Sequence, residues 1–343
     1  MKKRVTSHDV ARLAGVSRTT VSFVLNDVPH VQISEETRLR VLQAADVLGY
    51  HPDAAARSLA TRQTQTLALV LYQSADRIVA DAFLSDVVRG LSEVCQERGF
   101  RLLLHPFEEI GKSEAYVSLV LENRIDGLIV SGPRSDDEQL PRLHEDGFPL
   151  VLLGQLNGAG MKSVDVDNNS AAYRAVSHLI QLGHTRIALI TNGPLEYTAS
   201  ADRMLGYRRA LSGAGLPYDE GIVRYGQFHA RSGFQAMEEL LALAEPPTAT
   251  FVASDEVAVG ALAALHQRGI AVPEEMAIVG FDDIPVARFL VPPLTTIRLP
   301  AYELGVRAAD MLIKTIQGEE VAESQVLLRT QLVIRESCGA QVR

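Results

Sequence analysis

Cysteine is nearly absent. Cys95 and Cys338 are the two in 343 residues, too few for a disulfide framework, and without CxxC or HxxxH spacing a cysteine-based zinc site is excluded. Cys95 reads as a core side chain. No run approaches 18 consecutive apolar residues, which excludes a conventional membrane-spanning helix. The start, MKKRVTSHDV, has basic residues but no apolar segment or small-residue cleavage site behind them, so a cytoplasmic protein is expected. Aromatic residues make up only 6%, yet 47% of the chain is hydrophobic and 22% charged, enough apolar material for full cores and too much for a disordered or low-complexity chain.

Enzymatic signatures are also missing. There is no GxSxG elbow, no GxxxxGK[ST] loop and no HExxH. The two GxG runs, Gly158 to Gly160 and Gly213 to Gly215, fall in a polar loop and after a helix, not between a strand and a helix. The carboxylates and nine histidines form no spaced cluster that marks metal or acid/base chemistry. A non-enzyme with no cofactor and no metal is expected.

The length implies two or three domains. Charge is unevenly divided between them. Residues 1 to 62 hold nine Lys/Arg and six Asp/Glu, a balance of +3, which leaves 24 and 36 on the other 281 residues, a balance of −12. An acidic body of that size repels a polyanion, so any nucleic-acid contact falls to the short basic segment.

That segment reads as three short helices. Thr6 with Asp9 opens the first in a capping-box pattern, with Val10, Leu13 and Ala14 at helical spacing and Gly15 as the stop. Ser17 is a good N-cap for Arg18 to Leu25, whose Val21 and Val24 face inward. The third begins at Ser34, has Glu35 and Glu36 in its first turn, repeats Val41, Ala44/Ala45 and Leu48, and ends at Gly49. A glycine turn between two short helices is a helix-turn-helix unit. Arg18, Thr19, Thr20, Ser22 and Asn26 on the second helix are hydrogen-bonding groups suited to phosphates and base edges.

From Thr64 the pattern changes to apolar runs alternating with amphipathic helices. Strands are expected at 67–71, 101–104, 127–130, 150–153, 186–191, 248–253 and 276–281. One helix carries Leu84, Val87, Val88, Leu91 and Cys95, and another carries Leu304, Ala308, Met311 and Leu312. Repeated strand-helix-strand units imply parallel sheets covered on both faces, which bind ligands at the carboxyl ends of their strands.

The segments VTSHDVARLAGVSRTTVSFVLN and ISEETRLRVLQAADVLGYHPDAAARSLA resemble the headpiece of the lactose-repressor/galactose-repressor family of bacterial transcription regulators. By that resemblance the second helix lies in the major groove, with Arg18, Thr19 and Phe23 as base readers and Thr20, Ser22, Asn26 and Tyr50 as phosphate contacts. PDAAARSLA resembles the family's hinge helix, in which Ala56 and Leu59 of two subunits meet in the minor groove and Leu59 wedges between base steps. Arg57 is then a phosphate contact or a solvated charge.

Beyond the headpiece, RIDGLIVSG, SVDVDNNSAAYRAVSHLIQLGHTRIALIT, ADRMLGYRRAL, FVASDEVAVGALAALHQRGIAVPEEMAIVGFDD and PPLTTIRLPAYELGVRAADML resemble the family's effector-binding region, itself similar to periplasmic sugar-binding proteins. The implied fold is an all-α helix-turn-helix headpiece with an α/β periplasmic-binding-protein-like effector domain of two subdomains with parallel sheets. The implied domains are 1–50, a hinge helix and linker at 51–63, and an effector and dimerisation domain at 64–343. Subdomain N takes about 64–163 and 295–327, subdomain C about 164–294 and 328–338. Positions matching the family's effector contacts are Tyr72, Gln73, Phe83, Gln155, Arg203, Phe228 and Asp255, whose chemistry suits a polyhydroxylated ligand. Asp282 and Asp283 read as turn residues closing a strand. Gly154 stands where the family commonly has a polar or acidic residue.

The resemblance therefore implies a ligand-responsive, sequence-specific DNA-binding regulator, a repressor of carbohydrate-related genes on a pseudo-palindromic operator. After Leu332 there is no leucine heptad of the sort that joins dimers into tetramers, so a homodimer is expected. The alternatives are a regulator of the same fold that responds to a partner protein or to a nucleoside or purine, and a stand-alone periplasmic binding protein.

Overall fold

A computed structural model describes residues 5–26, 31–50, 63–72, 81–107, 114–156, 158 and 160–340. The expected hinge residues Ala56, Arg57 and Leu59, and Gln73, lie outside them. The chain separates into two compact units between Gln65 and Thr66.

The first unit holds helices α1 (Ser7–Ala14), α2 (Arg18–Leu25) and α3 (Glu35–Leu48). Thr6 and Asp9 close a reciprocal capping box on α1, the Ser17 hydroxyl accepts from Thr20 N, and the Ser34 hydroxyl accepts from Thr37 N. α1 ends at Gly15 (φ 67°) and α3 at Gly49 (φ 60°), both left-handed caps. Val10, Ala11, Ala14, Val21, Val24, Val41, Ala44 and Ala45 form the core. Leu13, expected inside, is exposed. The buried stripe of α1 runs through Ala11 instead, one residue after Val10.

The second unit contains two six-stranded sheets, each at the heart of one lobe. In the first, β1 (Thr66–Leu71), β2 (Arg101–Pro106), β3 (Gly127–Ser131), β4 (Leu150–Leu153), β5 (Ser163–Val166) and β11 (Gln325–Leu328) lie in the order β2-β1-β3-β4-β5-β11, all parallel. In the second, β6 (Ile187–Ile190), β7 (Val223–Arg224), β8 (Ala249–Val252), β9 (Ala277–Asp282), β10 (Thr295–Arg298) and β12 (Gln331–Val333) repeat the plan as β7-β6-β8-β9-β10-β12. There the last strand is antiparallel.

Alternation along the strands explains how both faces are covered. Leu67, Leu69 and Leu71 face α4 (Ala82–Glu97) and α11 (Ala301–Gln317), while Ala68 and Val70 face α5 (Glu114–Leu121) and α6 (Gln139–Glu145). In the second lobe Ile187 and Leu189 face α7 (Asn168–Gln181) and α8 (Thr198–Gly213), and Ala188 and Ile190 face α9 (Ala230–Leu241) and α10 (Asp255–Arg268).

The seven expected strands are present, and β5, β7, β10, β11 and β12 add to them. The crossing expected near 295 falls after Arg298, because Thr295–Arg298 pairs with Val279–Asp282 in the second sheet. Likewise Ser163–Val166 remains in the first sheet, so the chain leaves that lobe after 166 and not near 163. No helix of the described residues is long and apolar enough to cross a membrane.

Candidate functional site

In the headpiece, the exposed surface of α2 presents Arg18 and Thr19. Val21 and Val24 are the buried pair, which turns the intervening Phe23 away from the core; Phe23 is half-buried and packs outside the core cluster. The hydroxyls of Thr20 and Ser17 share a hydrogen bond of 2.9 Å. Asn26 Nδ2 donates to Ser22 Oγ at 3.1 Å, while its Oδ1 is buried without a partner. Tyr50 packs against the core, its N–H donating to Ala45 O.

In the second unit a cavity lies between the lobes at the carboxyl ends of the strands, the place where open parallel sheets bind ligands. Its space, about 970 Å³ with the part that opens to solvent included, is lined by both lobes. From the first lobe come Tyr72 after β1, Ser131 and Gly132 at β3, Gly154 after β4, and Asp165 in β5. Phe83 on α4 also belongs to the first lobe; from the second come Asn192 after β6, Phe228, Ser254 after β8 and Asp282 at the end of β9, with Arg203 on α8. Gly154 has φ 126°, and a Cβ there would sit 2.5 Å from Pro133 Cδ. Close approach of the β3 and β4 loops therefore explains glycine where a polar residue was expected.

Aromatic rings form one wall. Tyr72, Tyr197 and Phe228 follow edge to face, with centroids 6.4 Å and 4.8 Å apart. The Tyr72 hydroxyl is bound to Asp137, which also accepts from Tyr116 at 2.7 and 2.8 Å. Burial first, then the Asp137 charge, pushes the Tyr72 phenol well above its ordinary range. Tyr72 thus presents a ring to the cavity while its polar end is already satisfied. Tyr197 donates its hydroxyl to Tyr72 O at 3.0 Å, and Ser135 N donates to Glu196 O at 2.8 Å, so the lobes are tied across the cleft.

The polar wall centres on Arg203, which is only 7% exposed. Its Nε donates to Asn168 Oδ1 at 2.9 Å and its Nη1 to Ala253 O at 2.6 Å; Asp282 Oδ1 lies 3.7 Å from Nη1, and the guanidinium stacks 3.8 Å from the Phe281 ring centroid. Burial pushes the Asp282 carboxyl up to about 7, opposed by Arg203 and reinforced by Asp81. Asp165 is also pushed up to about 7 by burial, although Asn168 Nδ2 donates to its two oxygens at 3.2 and 3.3 Å. Asp81 is raised by burial as well, and its Oδ1 caps α4 by accepting from Phe83 N and Leu84 N. Asn192, 5% exposed, has an Oδ1 with no partner.

Of the expected effector contacts, Tyr72, Phe83, Arg203 and Phe228 meet at this cavity. Gln155 is half-buried beside Gly154 and is not on the wall. Asp255 does not reach it either: it is fully buried, Oδ1 accepts from Thr296 Oγ1 at 2.7 Å, and Oδ2 accepts from Ile284 N at 3.1 Å. Asp282, and not Asp255, is the second-lobe carboxylate on the wall beside Arg203, which corrects its reading as a turn residue. Its neighbour Asp283 is buried and paired with Arg298 at 2.6 Å and Arg335 at 2.5 Å, so it too does more than close a turn. Both have positive φ, 117° and 57°. Asp81, Asp165, Asn168, Asn192 and Tyr197 were missed. Asp165 had a signal, a polar residue in a short strand near its carboxyl end; Asn192 follows β6 in the same way.

A two-lobed domain with a cavity between its sheets, carried on the same chain as a helix-turn-helix module, defines a ligand-sensing DNA-binding protein. The chain belongs to the lacI family of bacterial regulatory proteins. The model of that family matches residues 6–53, and a periplasmic binding protein-like domain matches residues 176–338. The transcriptional regulator CelR of Thermobifida fusca is 38% identical over 339 residues, 98% of this chain and 99% of CelR. The structure of a CelR–cellobiose complex matches with a TM-score of 0.75 at 37% identity, covering 97% of this chain and all of that one. The lac repressor dimer bound to operator and the anti-inducer ONPF matches with a TM-score of 0.85 at 30% identity, covering 98% and 100%. This protein is a helix-turn-helix transcriptional regulator.

Proposed function

We propose that this regulator is a repressor whose DNA affinity is set by a saccharide held between the two lobes. The observation that carries this reading is the cavity itself, where aromatic rings line one side and Arg203, Asp282, Asn168 and Asn192 stand on another. Rings cover the apolar face of a sugar, and buried carboxylate, guanidinium and amide groups fix its hydroxyls. Tyr72, Phe83, Arg203 and Phe228 act with Asp282 in this role, and Asp255 supports the wall from behind. The cellobiose held by CelR makes that disaccharide the first ligand to try.

In this reading Arg18, Thr19 and Phe23 read bases, and Thr20, Ser22, Asn26 and Tyr50 hold phosphates. Ala56 and Leu59 of two subunits enter the minor groove, and a homodimer spans a pseudo-palindromic operator. Phe23 cannot pair with guanine as an arginine would; placed off the core of α2, it meets a thymine methyl. The test combines two measurements. Binding-site selection with the parent and Phe23→Ala should give a preference changed at one base pair per half-site. Fluorescence anisotropy on the selected operator should then show an affinity change on adding a saccharide from a panel led by cellobiose. An unchanged preference removes Phe23 as a base reader, and no response to any saccharide refutes the effector assignment.

A further inference from the structure

The charge on the cavity wall is one-sided. Asp81, Asp165 and Asp282 face a single cation, Arg203, and among the described residues no lysine or histidine lines the cavity. Arg203 has already given Nε to Asn168 and Nη1 to Ala253 O. Asn168 Nδ2 is in turn directed at Asp165. Independently of the carboxylates, Asn192 offers a buried Oδ1 that accepts from nothing. The wall is thus short of donors and rich in acceptors.

Helix N-termini ordinarily attract anions; two near this cleft already hold an acid on their first amides, Asp81 on α4 and Asp167 on α7, whereas α8, which starts beside the lining residue Tyr197, has none in its first turn, so any discrimination against anions rests on the wall carboxylates. Above about pH 7, where Asp165 and Asp282 are ionised, a phosphate or carboxylate entering here would meet like charge in a desolvated space whose one lining cation among the described residues, Arg203, already has Nε and Nη1 bonded, an arrangement that disfavours anions. An ammonium would meet carboxylates and the faces of aromatic rings, both favourable.

We infer that the cleft selects its ligand by charge, taking a saccharide that is uncharged or bears a protonated amine and rejecting the phosphorylated and carboxylated forms of the same sugar. This rests on the saccharide reading above. Hydroxyl or ammonium donors satisfy Asn192 Oδ1 and the two wall carboxylates Asp165 and Asp282, which an anionic substituent cannot do.

The test is calorimetric titration of the full-length protein with matched sets: cellobiose, cellobiose 6-phosphate, cellobiouronic acid and the glucosamine disaccharide, and glucose, galactose and ribose each beside its phosphate ester. The uncharged parent that binds should do so about 100-fold more tightly than its phosphate, about 2.7 kcal/mol at 1.36 kcal/mol per decade, and the amine form should bind at least as tightly as the parent. In Asp165→Asn, which keeps the side-chain shape, the gap should narrow roughly ten-fold. A phosphate or uronate that binds as well as its parent overturns the charge inference and leaves the saccharide reading standing. A folded Asp165→Asn with an unchanged gap also overturns it. Binding of no member of any set refutes the saccharide reading and the inference with it.

Discussion

Replacing Asp255 and Asp282 separately should divide stability from sensing. In Asp255→Ala two buried groups lose their acceptor, the Thr296 hydroxyl and the Ile284 N–H. Each orphaned group costs about 1–3 kcal/mol. Against that, the lost carboxyl is itself an unfavourable burial, its proton affinity raised by desolvation first and by Asp282 next. The net destabilisation should therefore sit near the lower end, about 2–3 kcal/mol, and lower the Tm of the 66–343 unit by roughly 3–5 °C. The folded molecules should still respond to ligand. Asp282→Ala removes a wall carboxylate next to Arg203 and should abolish the stabilisation that a saccharide at 100 times its Kd gives the parent, about 2.7 kcal/mol. Differential scanning calorimetry with and without the saccharide reads both effects. If Asp255→Ala melts with the parent but no longer responds to ligand, Asp255 touches the ligand and the geometry has been misread.

Asp165 and Asp282 bind protons more strongly folded than unfolded, so the unliganded domain should lose stability as pH rises from about 4 to about 7, and Asp165→Asn should flatten that slope in urea titrations. A saccharide that donates to these groups favours their ionised forms, so its affinity should rise over the upper part of the same window; a flat or falling profile contradicts the assignment. Tyr197→Phe keeps the ring stack and deletes the hydroxyl bond to Tyr72 O, and should cost about 1 kcal/mol in chemical denaturation; no loss would mean the tie contributes nothing. In Gly260→Ala the new Cβ would lie 1.7 Å from Ala230 O, so α9 and α10 must separate; a loss of about 2–3 kcal/mol is expected by the same measurement, and a neutral result would show that the helices yield freely.

The headpiece was legible because its signals are local. Thr6, Ser17 and Ser34 mark three helix starts and Gly15 and Gly49 two stops, each within one turn of the group it satisfies. The central strands were legible as continuous apolar runs, since a strand buried on both faces has no alternation. The outer strands were not: VR, QVLL and QLV lie at sheet edges and SVDV and TTIR one place in, each is only two to four residues long, and QVLL and QLV are half-solvated. The site was legible in part. Tyr72, Phe83, Arg203 and Phe228 carry chemistry that a cavity needs, but choosing Asp282 over Asp255 depends on where a carboxylate's partners lie. Thr296 and Ile284 are 41 and 29 residues from Asp255, a separation over which no local pattern speaks.

The sixth strand of each sheet has a consequence for biosynthesis. The first sheet is completed by Gln325–Leu328 and the second by Gln331–Val333, only two residues later, although their partner strands begin at Ser163 and Thr295. Among the described residues, the headpiece core is drawn from positions up to 50. At about 5–20 residues per second, the ribosome takes roughly 14–55 s to travel from there to residue 325. Through that interval the residues of the helix-turn-helix are already made, and toward its end, once Thr295–Arg298 has emerged, both lobes still await their sixth strand. The DNA-reading module is therefore made well before the sensor that governs it, and both lobes close almost together as one short segment emerges.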